Sequence, residues 1–476
     1  MRVETLSRDR VEIARDALAA ARPSYSARRR LSTGQKITGL LLLALLITFS
    51  IARPGLAAIG ANIAALILFA TFSTLRWAAL FRAFRRAPAS PHEKEPERWP
   101  FYTILAPLHR EPEHALRLAR TLAALDYPAD RREILLICEA DDRTTLEALS
   151  NHPLPAGVRV VALPNVHPRT KPKACAAAMS LARGDLIVLY DAEDAPAPDQ
   201  LKKAAARFAA APPDLACLQT RLCYADARRN WLASQFDIEY GQHFDILLPL
   251  LSDLRLPLPL GGAGNHFRRS ALVAAGGWDP FNVTEDADLG YRFAALGLRT
   301  EILDSRTEEL AANALTPWTA QRTRWVKGYL QTLFVHTRRP LDHATASGPT
   351  AYIWMLTVLA GTIASYFLYP LLLTLLVGGV LFGWRTPVFD PANPLFAMNV
   401  GLAVYGGAAA YMTAFIAARG RRVASGARLL WLLLTIPIYR FWCSAAALAA
   451  LAEFALRPHH WRKTPHPRSG ERPIFA

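Results

Sequence analysis

Long apolar runs lie on both sides of a central segment in which short apolar stretches alternate with polar ones. On the N-terminal side, residues 36–52 and 56–80 are each close to the ~20 apolar residues that a helix needs to cross a bilayer. Arg53, Pro54 and Gly55 separate the two runs and predict a tight turn. We therefore predict two transmembrane helices in this part of the chain.

The C-terminal apolar region predicts further helices of less regular length. As one helix, residues 351–384 would be ~51 Å long at ~1.5 Å per residue, too long for one straight crossing. We expect Pro370 to bend this helix or to divide it into a hairpin. Residues 395–418 have the length of a single span. Residues 429–457 contain a proline and an arginine, and we favour a re-entrant or interfacial arrangement for them.

The basic residues follow the edges of the apolar runs, and the formal net charge is +16. The arginines that precede, follow or separate the runs are Arg28, Arg29, Arg30, Arg76, Arg82, Arg85, Arg86, Arg419, Arg421, Arg422 and Arg428. Because basic residues beside a span mark the cytoplasmic face, we expect both chain ends and the central segment in the cytoplasm. This charge follows membrane edges rather than one soluble face, so we expect no nucleic-acid partner. The five cysteines include no Cys-x-x-Cys pair, which disfavours a disulfide framework or a zinc site.

Pattern and charge together predict six segments. They are a basic cytoplasmic N-terminus (1–35), two transmembrane helices (36–86), a proline-containing linker (87–99), a soluble domain (100–340), transmembrane or interfacial helices (341–457) and a basic cytoplasmic tail (458–476).

Strand and helix signals alternate within the soluble domain. The predicted strands are 102–106, 134–138, 158–163 and 186–190, and the predicted helices between them are 112–125 and 172–183. This β-α-β-α alternation predicts an α/β fold with a parallel, doubly wound sheet. Such sheets bind ligands at the carboxyl ends of their strands, so we expect a ligand site at that edge.

Two acidic clusters follow predicted strands at this edge, Glu139, Asp141 and Asp142 after one and Asp191, Glu193 and Asp194 after another. Carboxylate oxygens suit Mg²⁺ or Mn²⁺, and a cation at the second cluster would bind a diphosphate. The first cluster has acceptors for a uracil ring nitrogen or a ribose hydroxyl. Acidic turns that face solvent have the same composition, and the residues alone leave both interpretations open.

Further charged residues lie at predicted helix starts. Lys171 and Lys173 are positioned to hold phosphate or, equally, to be solvated surface lysines. Thr284, Glu285 and Asp286 open another helix, where a threonine N-cap followed by acids stabilises the helix dipole. The functional alternative makes Asp286 a general base that removes a proton from a sugar hydroxyl.

An aromatic and polar stripe lies on the predicted helix 316–329. At helical spacing, one face carries Trp318, Gln321, Arg322, Trp325 and Tyr329. Flat rings bind sugar faces, and a guanidinium binds phosphate with two parallel hydrogen bonds. An amphipathic helix with a tryptophan-rich core face would show the same spacing.

The order of these motifs resembles the family 2 inverting glycosyltransferases of the membrane-embedded, processive β-glycan synthase kind, which include cellulose, hyaluronan and chitin synthases. In chain order the motifs are Glu139-Ala-Asp141-Asp142, Thr170-Lys171-Pro172-Lys173-Ala174, Asp191-Ala-Glu193-Asp194, Gln219-Thr220-Arg221, the glycine-rich segment 261–267, Thr284-Glu285-Asp286 and Gln321-Arg322-Thr323-Arg324-Trp325. The resemblance covers about residues 100–340 and implies a nucleotide-sugar-binding fold of GT-A type. Asp191-Ala-Glu193 departs from the usual Asp-x-Asp metal motif, which makes Asp194 a candidate replacement ligand.

The resemblance also implies a role for each motif. Asp286 would be the catalytic base, and Asp191 and Glu193 would bind Mg²⁺ or Mn²⁺. Asp141, with Glu139 or Asp142, would hold uridine, and Lys173 would lie near the diphosphate. The full set of implied substrate-binding residues is Glu139, Asp141, Asp142, Lys173, Asp194, Glu285, Gln321, Arg322, Arg324 and Trp325.

The function that the resemblance implies is transfer of a sugar from a UDP-sugar to a growing β-linked polysaccharide, together with help in the export of that polysaccharide. The expected sugar is glucose, because glucose is prevalent in the family. The expected setting is a multi-pass protein of the bacterial inner membrane with a cytoplasmic catalytic domain. Its partners would be the donor, the polysaccharide acceptor and the bilayer, with export or regulatory subunits as further candidates. Two alternatives stay open, namely transfer of a single sugar to a lipid phosphate and a catalytically inactive export scaffold.

Overall fold

The computed structural model describes residues 3–85, 93–383 and 392–461. Nine strands in these ranges form one mixed sheet in the order β1-β4-β3-β2-β5-β8-β7-β9-β6. The strands are β1 (Val3–Thr5), β2 (Tyr102–Leu108), β3 (Arg132–Glu139), β4 (Val158–Leu163), β5 (Leu186–Leu189), β6 (Ala195–Pro196), β7 (Leu215–Tyr224), β8 (Asn265–Arg268) and β9 (Arg299–Glu309). The near-continuous burial of β2, β3 and β5 explains their unbroken apolar runs, since both faces of this part of the sheet are covered.

The helices are α1 (Arg8–Ala21), α2 (Thr33–Ala52), α3 (Pro54–Phe84), α4 (Pro112–Ala123), α5 (Arg143–Ser150), α6 (Lys171–Ala178), α7 (Gln200–Ala210), α8 (Trp231–Tyr240), α9 (Leu248–Asp253), α10 (Arg269–Ala274), α11 (Glu285–Ala295), α12 (Leu315–His336), α13 (Pro340–Ser347), α14 (Pro349–Phe382), α15 (Pro394–Gly420), α16 (Gly426–Leu434) and α17 (Ile436–Leu456). A π-helical stretch, Gly241–Leu247, joins α8 to α9, and short 3₁₀ turns cover Pro23–Tyr25 and Ala129–Arg131.

The α/β fold is confirmed, but the sheet is parallel over only part of its width. Strands β1, β4, β3, β2 and β5 are parallel neighbours, whereas β8 runs antiparallel to both β5 and β7, and β6 runs antiparallel to β9. The glycine-rich segment causes the reversal, because the amide of Gly264 bonds the Leu189 carbonyl at the end of β5 and turns the chain back along that strand. Gly264 has a positive φ of 64°, which favours glycine at this turn.

The N-terminal segment packs on the α/β domain. Strand β1 extends the sheet beside β4, and Asp279 accepts hydrogen bonds from the Ala27 amide and the Ser26 hydroxyl at 2.5 and 3.2 Å. Sequence reasoning predicted a basic cytoplasmic segment here and did not predict the strand. Since one sheet cannot be divided by a bilayer, β1 and the domain lie on the same side of any membrane that α2 and α3 cross.

Within the described ranges, five helices are long and apolar enough to cross a membrane by length and composition: Thr33–Ala52, Pro54–Phe84, Pro349–Gly379, Pro394–Gly420 and Ile436–Leu456. Helix α2 exposes a row of leucines that would need lipid around them. The hairpin considered for residues 351–384 is not formed, because α14 continues through Pro370. The predicted linker 87–99 and tail 458–476 lie partly outside the described residues.

Helix α17 lies along α12 of the α/β domain over much of its length. Arg322 donates to the Tyr439 hydroxyl at 2.8 Å, and the Thr323 hydroxyl donates to the Ala446 carbonyl at 3.3 Å. Lys327 bonds the Glu453 carboxylate at 2.8 Å near the far end of α17. Both ends of α17 thus touch a helix of the domain, and the interfacial arrangement of residues 429–457 stays a prediction.

Candidate active site

A cavity of about 400 Å³ opens at the carboxyl ends of β3, β2 and β5 and extends between α3 and α14. Nine of the predicted site residues line it: Glu139, Asp191, Glu193, Glu285, Asp286, Gln321, Arg322, Arg324 and Trp325. Asp141, Asp142, Lys173 and Asp194 do not. The position is the one expected for a ligand on a sheet whose central strands are parallel.

Two carboxylates and a lysine converge on Gly262. A Cβ on Gly262 would lie 3.4 Å from Asp286 Oδ2, 3.9 Å from Asp191 Oδ2 and 4.0 Å from Lys171 Nζ. The lysine forms an ion pair with Asp191 at 2.5 Å and donates to the Gly262 carbonyl at 2.7 Å. Residues that are far apart in the sequence therefore surround one point, and any side chain at position 262 would project into it.

Asp286 lies in the first turn of α11, where its Oδ1 accepts a hydrogen bond from the Ala287 amide at 2.8 Å. Burial raises the pKa of Asp286, although the Ala287 amide, Lys171 and Arg324 act to lower it. Burial and the neighbouring Asp286 charge raise the pKa of Glu285 to about 8. Asp286 is consequently a stronger base than an exposed aspartate, and its Oδ2 faces the cavity at Gly262.

The two lysines of α6 have different surroundings. Lys173 is fully buried and donates to Glu139 Oε1 at 2.5 Å and to the Val166 carbonyl at 3.2 Å. Contrary to the role predicted for Lys173 near the diphosphate, it is Lys171 that lines the cavity. Residues two apart on a helix point to nearly opposite sides, so Lys171 and Lys173 cannot both face the cavity.

The first acidic cluster separates into three environments. Glu139 lines the cavity and pairs with Lys173, while Asp141 is exposed and pairs with Arg169. Asp142 is buried and caps α5, accepting from the Arg110 amide at 2.5 Å and the Thr145 amide at 3.3 Å. Contrary to the predicted uridine contacts, Asp141 and Asp142 lie outside the cavity wall.

The second acidic cluster provides two carboxylates to the cavity. Asp191 and Glu193 line the cavity, but Asp194 is buried and accepts the Asp191 amide at 2.6 Å, which makes it a support of the loop rather than a replacement ligand. Glu309 at the end of β9 lines the same wall, and burial together with repulsion by Glu193 and Asp191 raises its pKa.

This excess of negative charge fits a divalent cation, with oxygen donors of the kind that Mg²⁺ and Mn²⁺ prefer. Across the described ranges, no three His, Cys, Asp or Glu side chains are grouped to hold a metal ion. Phosphate oxygens of a substrate would therefore have to complete the coordination of a cation at Asp191 and Glu193.

The predicted stripe on α12 divides into a buried part and a cavity part. Trp318 is fully buried, and Arg322 is 4% exposed, with its guanidinium bonded to Glu239 and Tyr439. These contacts hold Arg322 in the core beneath the Trp325 ring, 5.1 Å from its centre, rather than free to bind a diphosphate. Gln321, Arg324, Trp325 and Tyr329 are partly exposed and line the cavity.

Trp325 is held in place by other aromatic rings. Its ring stacks on Tyr240 at a centroid distance of 6.0 Å and contacts Phe236 at 5.5 Å. Beside it, the Arg324 guanidinium lies 4.4 Å from the ring centre of Trp461, another residue of the cavity wall. A rigid, partly exposed indole in the cavity wall is suited to stack on a sugar ring.

Close packing of α12 on the start of α11 holds Trp325 near Asp286. A Cβ on Gly328 would lie 2.7 Å from Thr284 Cβ, so this crossing requires glycine. We expect Gly328→Ala to lower the free energy of unfolding by about 1–3 kcal/mol through overpacking, with a lower melting temperature in detergent. Gly407→Ala is the matched control, since no atom lies within 4 Å of its added Cβ. Equal melting temperatures for the two variants would contradict this account of the crossing.

Several residues of the cavity wall were not among the predicted site residues. They are His109, Lys171, Tyr240, Glu309, Tyr366 and, at the membrane helices, Arg76 and Arg440. Lys171 was considered only as one of a pair, Arg76 only as a charge beside a span, and Arg440 only as a sign of an interfacial arrangement. The other four lie outside the motifs and had no local signal that separates them from structural residues.

Residues 100–328 match the family model described as "Glycosyltransferase like family 2". A beta-monoglucosyldiacylglycerol synthase of Trichormus variabilis (strain ATCC 29413 / PCC 7937) is 28% identical over 253 residues, which are 49% of this chain and 49% of that protein. Cellulose synthase 2 of Novacetimonas hansenii is 27% identical over 239 residues, which are 49% of this chain and 14% of that protein. The chain thus spans about half the length of the glycolipid synthase that it matches.

A solved mannosyltransferase from Pyrobaculum calidifontis, in complex with GDP-Man and Mn²⁺, aligns over 82% of this chain and 98% of its own, with 18% identity and a TM-score of 0.47. The similarity to family 2 rests on the sequence match, which agrees with the resemblance drawn from the order of the motifs. Residues 100–328 of the chain are thus similar to the glycosyltransferases of family 2.

Proposed function

We propose that the protein is a membrane-bound inverting glycosyltransferase that transfers one sugar from a UDP-sugar to a hydroxyl of a lipid acceptor. The observation that carries this proposal is the continuity of the cavity. One space joins Asp191 to Asp286 and then runs between α3 and α14, two helices apolar enough to cross a membrane. A donor that enters from the sheet edge would meet an acceptor that enters from the bilayer.

The donor end would hold the diphosphate. Asp191 and Glu193 would bind Mg²⁺ or Mn²⁺, which supplies positive charge against the phosphate oxygens when it is bound. Lys171 and Arg324 would stabilise the departing diphosphate, since both line the cavity and both act on the Asp286 carboxylate. Glu139, at the end of β3, is the remaining candidate contact for the nucleoside.

The transfer step would use Asp286 as the base. Its Oδ2 takes the proton of the acceptor hydroxyl, whose oxygen forms a bond to the anomeric carbon as the bond from that carbon to the diphosphate oxygen breaks. Attack opposite the leaving group inverts the anomeric configuration. Trp325 stacks on the acceptor or donor sugar and limits the directions from which the hydroxyl approaches.

The shape of the membrane end favours a lipid acceptor. The cavity wall includes Phe72 of α3 and Thr362 and Tyr366 of α14, and residues nearer the far ends of these helices do not line it. At this level the two helices touch, because a Cβ on Gly361 would lie 2.6 Å from Phe72 Cζ. A blind end between two helices suits a lipid headgroup better than a growing polymer, and similarity to glycolipid synthases supports the same choice.

Processive synthesis of a β-glycan is the second candidate. The Gln321–Trp325 motif and the similarity to a cellulose synthase support it.

In both cases we propose the bacterial inner membrane, with the catalytic domain in the cytoplasm, because the basic N-terminal segment packs on that domain. An inactive export scaffold is disfavoured, since Asp191 and Asp286 face one cavity.

The test uses the full chain in lipid vesicles with Mg²⁺ or Mn²⁺ and a radiolabelled UDP-sugar, with glucose first. We expect label in the organic-solvent phase, as a lipid that carries one sugar. Ethanol-insoluble polymer as the main product would replace this proposal with the second candidate. No transfer with any UDP- or GDP-sugar, in the presence of either metal, would favour the inactive scaffold.

A further inference from the structure

We propose that Arg76 and Arg440 bind the phosphate of the acceptor, which is therefore an anionic, phosphate-bearing lipid with a free hydroxyl rather than a neutral diglyceride. This inference rests on the proposed lipid acceptor and names its chemical class. Both arginines line the membrane end of the cavity, one on α3 and one on α17.

The depth of Arg76 is suited to a lipid headgroup. At ~1.5 Å per residue, Arg76 lies about 12 Å along α3 from its C-terminal residue, Phe84. Charged side chains within apolar spans are costly and usually mark a binding site or an ion pair. Throughout the described ranges, no carboxylate lies within 4 Å of the Arg76 guanidinium, which excludes the ion pair there.

The charges around Arg76 do not balance. Its charged neighbour is Arg440, which comes no closer than 3.9 Å to Glu239. Glu239 is already bonded by Arg322 and by the Tyr439 hydroxyl at 2.6 Å. Arg322 and Arg440 therefore share one carboxylate, and Arg76 has none within 4 Å among the described residues, so this end of the cavity has an excess of positive charge that a phosphate would neutralise.

The opposite end of the cavity carries the opposite charge. Asp191, Glu193 and Glu309 surround the donor end, so an anionic acceptor is drawn to the arginines and kept from the carboxylates. Asp286, Tyr329, Tyr366 and Arg76 all line this one cavity. A phosphate held at the arginines would therefore place its lipid in the same space as Asp286.

The test offers the full chain, in phosphatidylcholine vesicles, two acceptors in separate assays: phosphatidylglycerol, which has a phosphate and free hydroxyls, and diacylglycerol, which has a hydroxyl but no phosphate. The donor is the UDP-sugar that gave the most product in the preceding assay. We expect transfer to a phosphate-bearing lipid at least about tenfold faster than to diacylglycerol. Arg76→Gln should raise the KM for that lipid about 10- to 100-fold, as expected for loss of a charge-assisted hydrogen bond. The KM for the donor should not change.

Three further variants separate binding from folding. Arg440→Gln should weaken binding of the same lipid, and Arg76→Lys should restore part of it because the charge is kept. Arg85→Gln removes an exposed arginine at the end of the same helix, outside the cavity, and should have no effect.

Two results would overturn the inference while the proposed function stands. One is equal or faster transfer to diacylglycerol, and the other is an unchanged lipid KM in both glutamine variants. Polymer as the main product, or no lipid-soluble product, would reject the inference and the lipid acceptor together.

Discussion

Replacing Asp286 with asparagine is expected to lower the rate of sugar transfer about 10²- to 10⁴-fold, the usual contribution of a general base. The amide keeps the shape of the side chain and its contact with the Ala287 amide, but it cannot accept the acceptor proton at Oδ2. The measurement is the single-turnover rate of product formation at saturating donor and acceptor, so that binding and product release do not enter.

Two controls accompany Asp286→Asn. Asp304→Asn removes a carboxylate that is 72% exposed and outside the cavity, and it should leave the rate unchanged. The wild-type rate should also fall as the pH drops through the raised pKa of Asp286, since protonation abolishes the base. An Asp286→Asn enzyme that keeps the wild-type rate would show that another group accepts the proton.

The elements that the sequence predicted well are those whose signal is local. The strand 158–163 was predicted with its observed limits, and the acids after β3 and β5 lie at the strand ends because a buried apolar run must end where polar residues begin. The family could also be inferred, since it depends on the order of short motifs. These features need no knowledge of how distant segments meet.

The orientation of side chains within each motif could not be predicted. Whether Lys171 or Lys173 faces the cavity depends on the rotation of α6 against the sheet. Asp194 is adjacent to the cavity residue Glu193, and Asp142 follows the cavity residue Glu139 by three positions, yet each turns back to bond a backbone amide of its own loop or of a neighbouring loop. Arg322 lies on the predicted face of α12, but Glu239 holds it in the core.

Residues supplied by distant segments were missed for a different reason. Glu309 ends β9, a strand that was not predicted, and its place beside Glu193 depends on the antiparallel pairing of β6 with β9. Arg76 has the same sequence context as any arginine near the end of a span. Only the packing of α3 against α14 makes its position in the cavity evident.

Replacing Asp191 with asparagine is expected to reduce transfer about 10²- to 10³-fold and to raise the Mn²⁺ concentration needed for half-maximal rate. Two effects combine here. A carboxylate that faces Glu193 and Glu309 is lost from the proposed cation site, and Lys171 loses its ion pair and becomes free to move. Chelation with EDTA should abolish wild-type transfer, and Mn²⁺ should restore it.

The control for Asp191→Asn is Asp199→Asn in the same stretch of chain, where the half-exposed carboxylate pairs with Lys203 and does not line the cavity. Its rate and Mn²⁺ requirement should equal those of the wild type. If Asp191→Asn lowers the rate but leaves the Mn²⁺ requirement unchanged, the carboxylate acts by holding Lys171 near the diphosphate. If neither quantity changes, the convergence of Asp191 and Asp286 at Gly262 has no catalytic role, and the donor end must be sought elsewhere in the cavity.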